Sequence, residues 1–83
     1  MKVKEHIMNF IKSRAILGDR TFYTHEIQTL SEQGLMRFQR RLGSPGTYER
    51  TFRLLREDGK LLVCKVENLK SRESKWEIRG IYV

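Results

Sequence analysis

The densest positive charge in the chain is the group Arg37, Arg40 and Arg41, with no acidic residue between Glu32 and Glu49 to neutralise it. Arg50, Arg53 and Arg56 follow at steps of three, a spacing that makes helical side chains surface neighbours. Arginine in such sets suits one kind of chemistry: its planar fork of N–H donors grips phosphate oxygens, or two acceptors on a base edge, in pairs. Lys65, Lys70, Arg72 and Lys75 form a third set, diluted by Glu67, Glu73 and Glu77. Over the 83 residues, 17 Lys plus Arg oppose 10 Asp plus Glu, a net charge of +7. In so small a body that excess favours polyanionic partners, nucleic acid first and an anionic membrane surface second.

Other chemistry is thinly represented. His6 is expected at the margin of a first helix or in solvent, and His25 as a first-turn polar residue of a second; neither has a sequence-evident partner for acid–base work. The lone Cys64 lies in an apolar run and predicts an inert buried thiol, and it makes no zinc-type spacing with the two histidines. Gly43-Ser44-Pro45-Gly46 is glycine-rich, but Ser-Pro explains it as a helix start rather than a phosphate-cradling loop. These residues predict a binding protein with no cofactor, no metal and no catalytic role. No run from Met1 to Leu17 resembles a secretion signal and no stretch is apolar enough to span a bilayer, so the expectation is an intracellular protein, cytoplasmic or associated with nucleoid or nucleus, with no membrane partner.

The elements that must carry these side chains follow from periodicity. Apolar content of 39% and charged content of 33% predict a folded chain, and 83 residues predict a single domain over 1–83. Val3, Ile7, Phe10, Ile11 and Ala15 recur at helical spacing, predicting a first helix to about Leu17 with Gly18 as its stop. Thr21-Phe22-Tyr23 is a short β-prone triplet. Thr24 is expected to cap a second helix over His25 to Gln33, closed by Gly34. Leu35 to Gly43 can continue that helix or form a loop. Ser44 as N-cap, Pro45 at the first helical position and Gly59 at the stop predict a third helix from about Pro45 to Asp58. The period then changes to two, around Leu62, Cys64 and Val66 and again around Trp76 and Ile78, predicting two strands joined by a polar loop from Asn68 to Ser74.

This α+β order of helix, short strand, helix, helix, strand and strand resembles the winged helix, a helix-turn-helix with a C-terminal β-hairpin. The most specific stretch is Tyr48-Glu49-Arg50-Thr51-Phe52-Arg53-Leu54-Leu55-Arg56-Glu57-Asp58-Gly59-Lys60-Leu61, similar to that family's recognition helix and the step into its wing. Leu54-Leu55 ahead of Gly59-Lys60-Leu61, with Trp76 in the last strand, is also similar to winged helices that bind left-handed nucleic acid, although the paired prolines expected before that Trp are absent. One departure is the connection from Gly34 to Gly43, longer than in usual helix-turn-helix proteins. It implies an extra helical turn or an unusual approach to DNA.

At about 100° per residue, Tyr48, Phe52 and Leu55 share the buried face of helix 3 and Arg50, Arg53 and Glu57 the opposite one. The resemblance then implies double-stranded DNA as the partner, with RNA the alternative, and a role in transcriptional regulation. Thr47, Glu49, Arg50 and Arg53 would meet bases. Thr24, Arg37, Arg40, Arg41, Arg56, Lys65, Lys70, Arg72 and Lys75 would meet the backbone, Thr24 through the free N–H groups at the start of helix 2. A homodimer would suit palindromic sites. The competing expectations are a winged helix that docks a protein through its hairpin and helix 1 edge, and a sequence-neutral nucleic-acid module serving another machine.

Overall fold

The computed structural model of the chain describes residues 2–68 and 73–81. It is an α+β fold of three helices and a three-stranded antiparallel sheet: α1 (Val3–Ile16), β1 (Thr21–Tyr23), α2 (Thr24–Phe38), α3 (Pro45–Glu57), β2 (Leu61–Asn68) and β3 (Ser74–Ile81). The last strand is central, giving the order β1-β3-β2. Phe22 pairs with Trp76 across β1 and β3, and Val63 with Ile78 across β2 and β3. Arg20 fastens the same joint, its carbonyl accepting from the Ile78 N–H at 2.7 Å and its guanidinium donating to the Ile78 carbonyl.

The helices cover one face of this sheet. Ile7, Met8 and Ile11 of α1, Ile27 and Leu30 of α2, and Tyr48, Phe52 and Leu55 of α3 close over Phe22, Leu61, Trp76 and Ile78. Through the middle runs a chain of edge-to-face rings, Phe10 to Phe22 to Phe52 to Trp76, at centroid distances of 6.2, 5.6 and 5.3 Å. That geometry sets the positive edge of each ring against the negative face of the next.

Helix α3 begins as expected: the Ser44 side chain accepts from the Thr47 N–H, Pro45 opens the helix, and Gly59 follows it at φ 73. Helix α2 does not stop at Gly34. It continues for another turn to Phe38, and Gln39 takes the left-handed stop at φ 57. Gly34 lies inside the helix against α1 and α3, where a Cβ would make ordinary contact with the Tyr48 hydroxyl at 3.4 Å and the His6 ring at 3.6 Å. The long connection thus contains the extra helical turn, and only residues 39–44 separate α2 from α3.

Three further expectations are corrected. Thr24 is the first residue of α2 rather than its cap; the cap is Tyr23, whose N–H donates to the Glu26 carboxylate at 3.0 Å. The Thr24 hydroxyl is buried, accepting from the Trp76 indole at 2.9 Å and donating to the Ser74 carbonyl at 3.4 Å. Cys64 is exposed rather than buried, because Leu61 and Val63 take the inward positions of β2 and the alternate row faces out. His6, expected at the surface, is only 5% exposed.

Candidate nucleic-acid interface

Burying Tyr48, Phe52 and Leu55 fixes the rotation of α3, and so fixes what it presents to solvent. Arg50, Arg53, Leu54 and Glu57 stand outward, with Thr47, Glu49 and Arg56 half-buried at the margins. Gly46, Glu49, Arg50, Arg53 and Arg56 line one shallow depression of about 270 Å³. Within it Glu49 accepts from the Gln28 amide at 3.0 Å, which ties α3 to α2. The ion pair of Arg53 with Glu57 is open, at 3.9 Å and with both side chains more than half exposed, so it costs little to break. Thr47 is held by Ser44, its hydroxyl 3.0 Å from the Ser44 oxygen.

Arg56 is the most constrained of these cations. Its guanidinium carbon lies 4.7 Å from the centre of the Phe52 ring and 4.4 Å from that of Trp76, an attractive arrangement of cation and aromatic face. Its Nε is buried with no hydrogen-bond partner among the described residues. Burial lowers its affinity for the proton, although a guanidinium stays charged at any ordinary pH. Lys65 extends this group, with its amine 5.3 Å from the Trp76 ring centre. Trp76 is therefore a buried core ring that also organises two cations, a role its alternation with Ile78 does not reveal.

The other expected contact residues are scattered. Arg40 and Arg41 are exposed on the connection ahead of α3. Arg37 instead lines a groove between α1 and α2 with His6, Asn9, Lys12 and Gln33. Lys75 lies on the outer side of β3 with its amine 5.9 Å from the Tyr23 ring centre. Lys70 and Arg72 lie outside the described residues. Thr24 leaves the set, since its hydroxyl is engaged in the core. The start of α2 is also occupied: Glu73 accepts from the His25 N–H at 3.1 Å and meets the His25 ring at 3.0 Å. With Glu26 at Tyr23, two carboxylates already answer the positive end of that helix, where a phosphate contact was expected.

Behind the interface is a lock that spacing could not show. The buried His6 Nδ1 stands 2.6 Å from the Tyr48 hydroxyl, joining α1 to the inner face of α3 beside Gly34 of α2. Burial, then the charge of Arg37, lowers the His6 pKa, while burial raises that of Tyr48, so both are neutral at pH 7. The folded chain binds a proton at His6 less readily than the unfolded chain, where imidazole titrates near 6.5. This contribution to stability is complete above about pH 6.5 and declines as pH falls below it, by at most about 1.4 kcal/mol per pH unit for one proton. Thermal melts between neutral and mildly acidic pH should show that decline, and His6→Gln should flatten it; an unchanged slope in the variant would place the sensitive group elsewhere.

No group of three His, Cys, Asp or Glu among the described residues is arranged to hold a metal, and no described helix is long and apolar enough to cross a membrane. Compared with known proteins, the chain matches no family model, no curated protein and no solved structure.

Proposed function

We propose that the chain is a winged-helix domain that binds double-stranded DNA, with α3 in the major groove and the β2–β3 hairpin as the wing on the flanking backbone. Its role is transcriptional regulation, and it works by binding rather than catalysis. The supporting observation is the outward face of α3, where Arg50 and Arg53 stand free of the core beside an Arg56 held rigid on Phe52 and Trp76. A major groove about 12 Å wide admits one helix, and arginine is the side chain best matched to the paired acceptors of guanine. Arg50 and Arg53 read bases. Thr47 and Glu49 flank them, and the half-occupied Glu49 carboxylate keeps an oxygen for a cytosine amine. Arg56, Lys65, Arg40 and Arg41 hold the backbone; Arg37 and Lys75 face other sides and are secondary.

Separate titrations distinguish these roles. On a site selected from random duplexes, Arg50→Ala or Arg53→Ala should cost about 1–3 kcal/mol, and much less on scrambled DNA. Arg40→Ala and Arg41→Ala should weaken both DNAs alike and make the salt dependence shallower by about one unit per contact. Circular dichroism checks that each variant is folded. Equal losses on both DNAs for the Arg50 and Arg53 variants would replace base reading by a sequence-neutral module, and undiminished binding would remove α3 from the interface.

A further inference from the structure

Strand β2 is an edge of the sheet, and among the described residues no strand lies beyond it. Alternate backbone groups along it therefore lack a ladder partner on that side, an invitation to pair with another chain that folded proteins usually blunt with charge. This edge has register irregularities at Leu62/Val63 and Lys65/Glu67, but its outward face is apolar: Leu62 is 45% exposed, Val66 47% exposed, and Cys64 is exposed between them. The outward residues of the neighbouring β3 are Lys75, Glu77 and Arg79, so the apolar row is confined to the open edge.

We infer that β2 pairs antiparallel with β2 of a second copy of this chain, about a two-fold axis at Cys64, joining two three-stranded sheets into one of six strands. A two-fold joint requires a surface that matches its own reverse. Leu62, Cys64 and Val66 do so: the register sets Leu62 of each copy against Val66 of the other and Cys64 against itself, at a Cβ separation of about 4.5–5.5 Å. The irregularity between Lys65 and Glu67 turns Glu67 outward at the far end of the strand, where it has no ion pair among the described residues. At the near end Lys60 crowds Lys4, and that neighbouring ammonium holds the Lys4 pKa below its ordinary value. Antiparallel pairing brings Glu67 of each copy to the Lys4 and Lys60 pair of the other. Lys65, which would otherwise confront its own copy diagonally, is drawn to the opposite face over Trp76. One strand edge and a few side chains make a joint smaller than the roughly 1,200 Å² of standard interfaces, so the dimer is a reversible one. It requires no DNA and stands independently of the proposed function.

The test uses the full chain without DNA. Sedimentation equilibrium under reducing conditions should show a reversible monomer–dimer equilibrium, weakened roughly tenfold or more by Leu62→Lys or Val66→Lys and retained in Cys64→Ser. Both lysine substitutions fall at exposed positions, and circular dichroism verifies that the fold is kept. Diamide supplies the second measurement, taking up the two electrons and two protons released as two Cys64 thiols join in one disulfide. Native protein should cross-link much faster than protein in urea, and the lysine variants should lose that advantage. Cross-linking no faster in the folded than in the unfolded chain would overturn the inference, as would a dimer indifferent to both lysine substitutions.

Discussion

Phe52→Ala should destabilise the chain by about 3–5 kcal/mol, the usual loss when a buried phenylalanine is truncated. Phe52 is 1% exposed and stands edge to face with both Phe22 and Trp76, so its removal opens the chain of rings that joins α3 to the sheet. It also takes away one of the two rings beneath Arg56. Small domains hold only about 5–15 kcal/mol in total, so this variant should melt far below the parent or not fold at all. Phe52→Leu keeps most of the volume and should cost less, on the order of 1.5 kcal/mol. Urea unfolding followed by circular dichroism gives both values. An unchanged midpoint for Phe52→Ala would mean that α3 does not turn this face inward, and the placement of Arg50 and Arg53 would fall with it.

Raising salt from 50 to 200 mM should weaken binding to a short duplex by about 150-fold. Arg40, Arg41, Arg56 and Lys65 would neutralise about four phosphates; at roughly −0.9 per phosphate the slope of log K against log salt is about −3.6, and a fourfold rise in salt gives that loss. Fluorescence anisotropy at a series of salt concentrations measures it directly. Two of these cations are already positioned over Trp76, so less side-chain freedom remains to be lost on binding. A slope near zero would remove nucleic acid as the partner and leave the +7 charge without a role in binding.

Where local chemistry decided the structure, the sequence was legible. Ser44, Pro45 and Gly59 mark the ends of α3 by caps and backbone preference alone, and the spacing of Tyr48, Phe52 and Leu55 fixes its rotation. Gly34 and Gly59 show the limit. Both read as helix stops, but Gly34 is inside α2, buried beside Tyr48 and His6, which are distant in sequence, and the left-handed stop falls at Gln39 instead. In β2 both alternating rows are apolar, Leu61 and Val63 on one side and Leu62, Cys64 and Val66 on the other, so a period of two could not select the buried one. Thr24 has the chemistry of a cap, but Trp76 in β3 needs an acceptor for its indole N–H and takes the hydroxyl. The placement of the candidate interface residues was legible on α3 and illegible where it depends on partners far along the chain, as with Arg56 on Trp76, Glu73 at His25 and Arg37 in the α1–α2 groove.

The central place of β3 has a consequence for how the protein is made. Among the described residues β1 pairs only with β3, Thr21–Tyr23 against Lys75–Glu77, so it has no ladder until β3 exists. A ribosome adds about 5–20 residues per second, so Phe22 emerges several seconds before the Trp76 that will cover it. During synthesis the nascent helices must wait with their inner faces open to water or to a chaperone. The three-stranded sheet can close only once β3 has emerged.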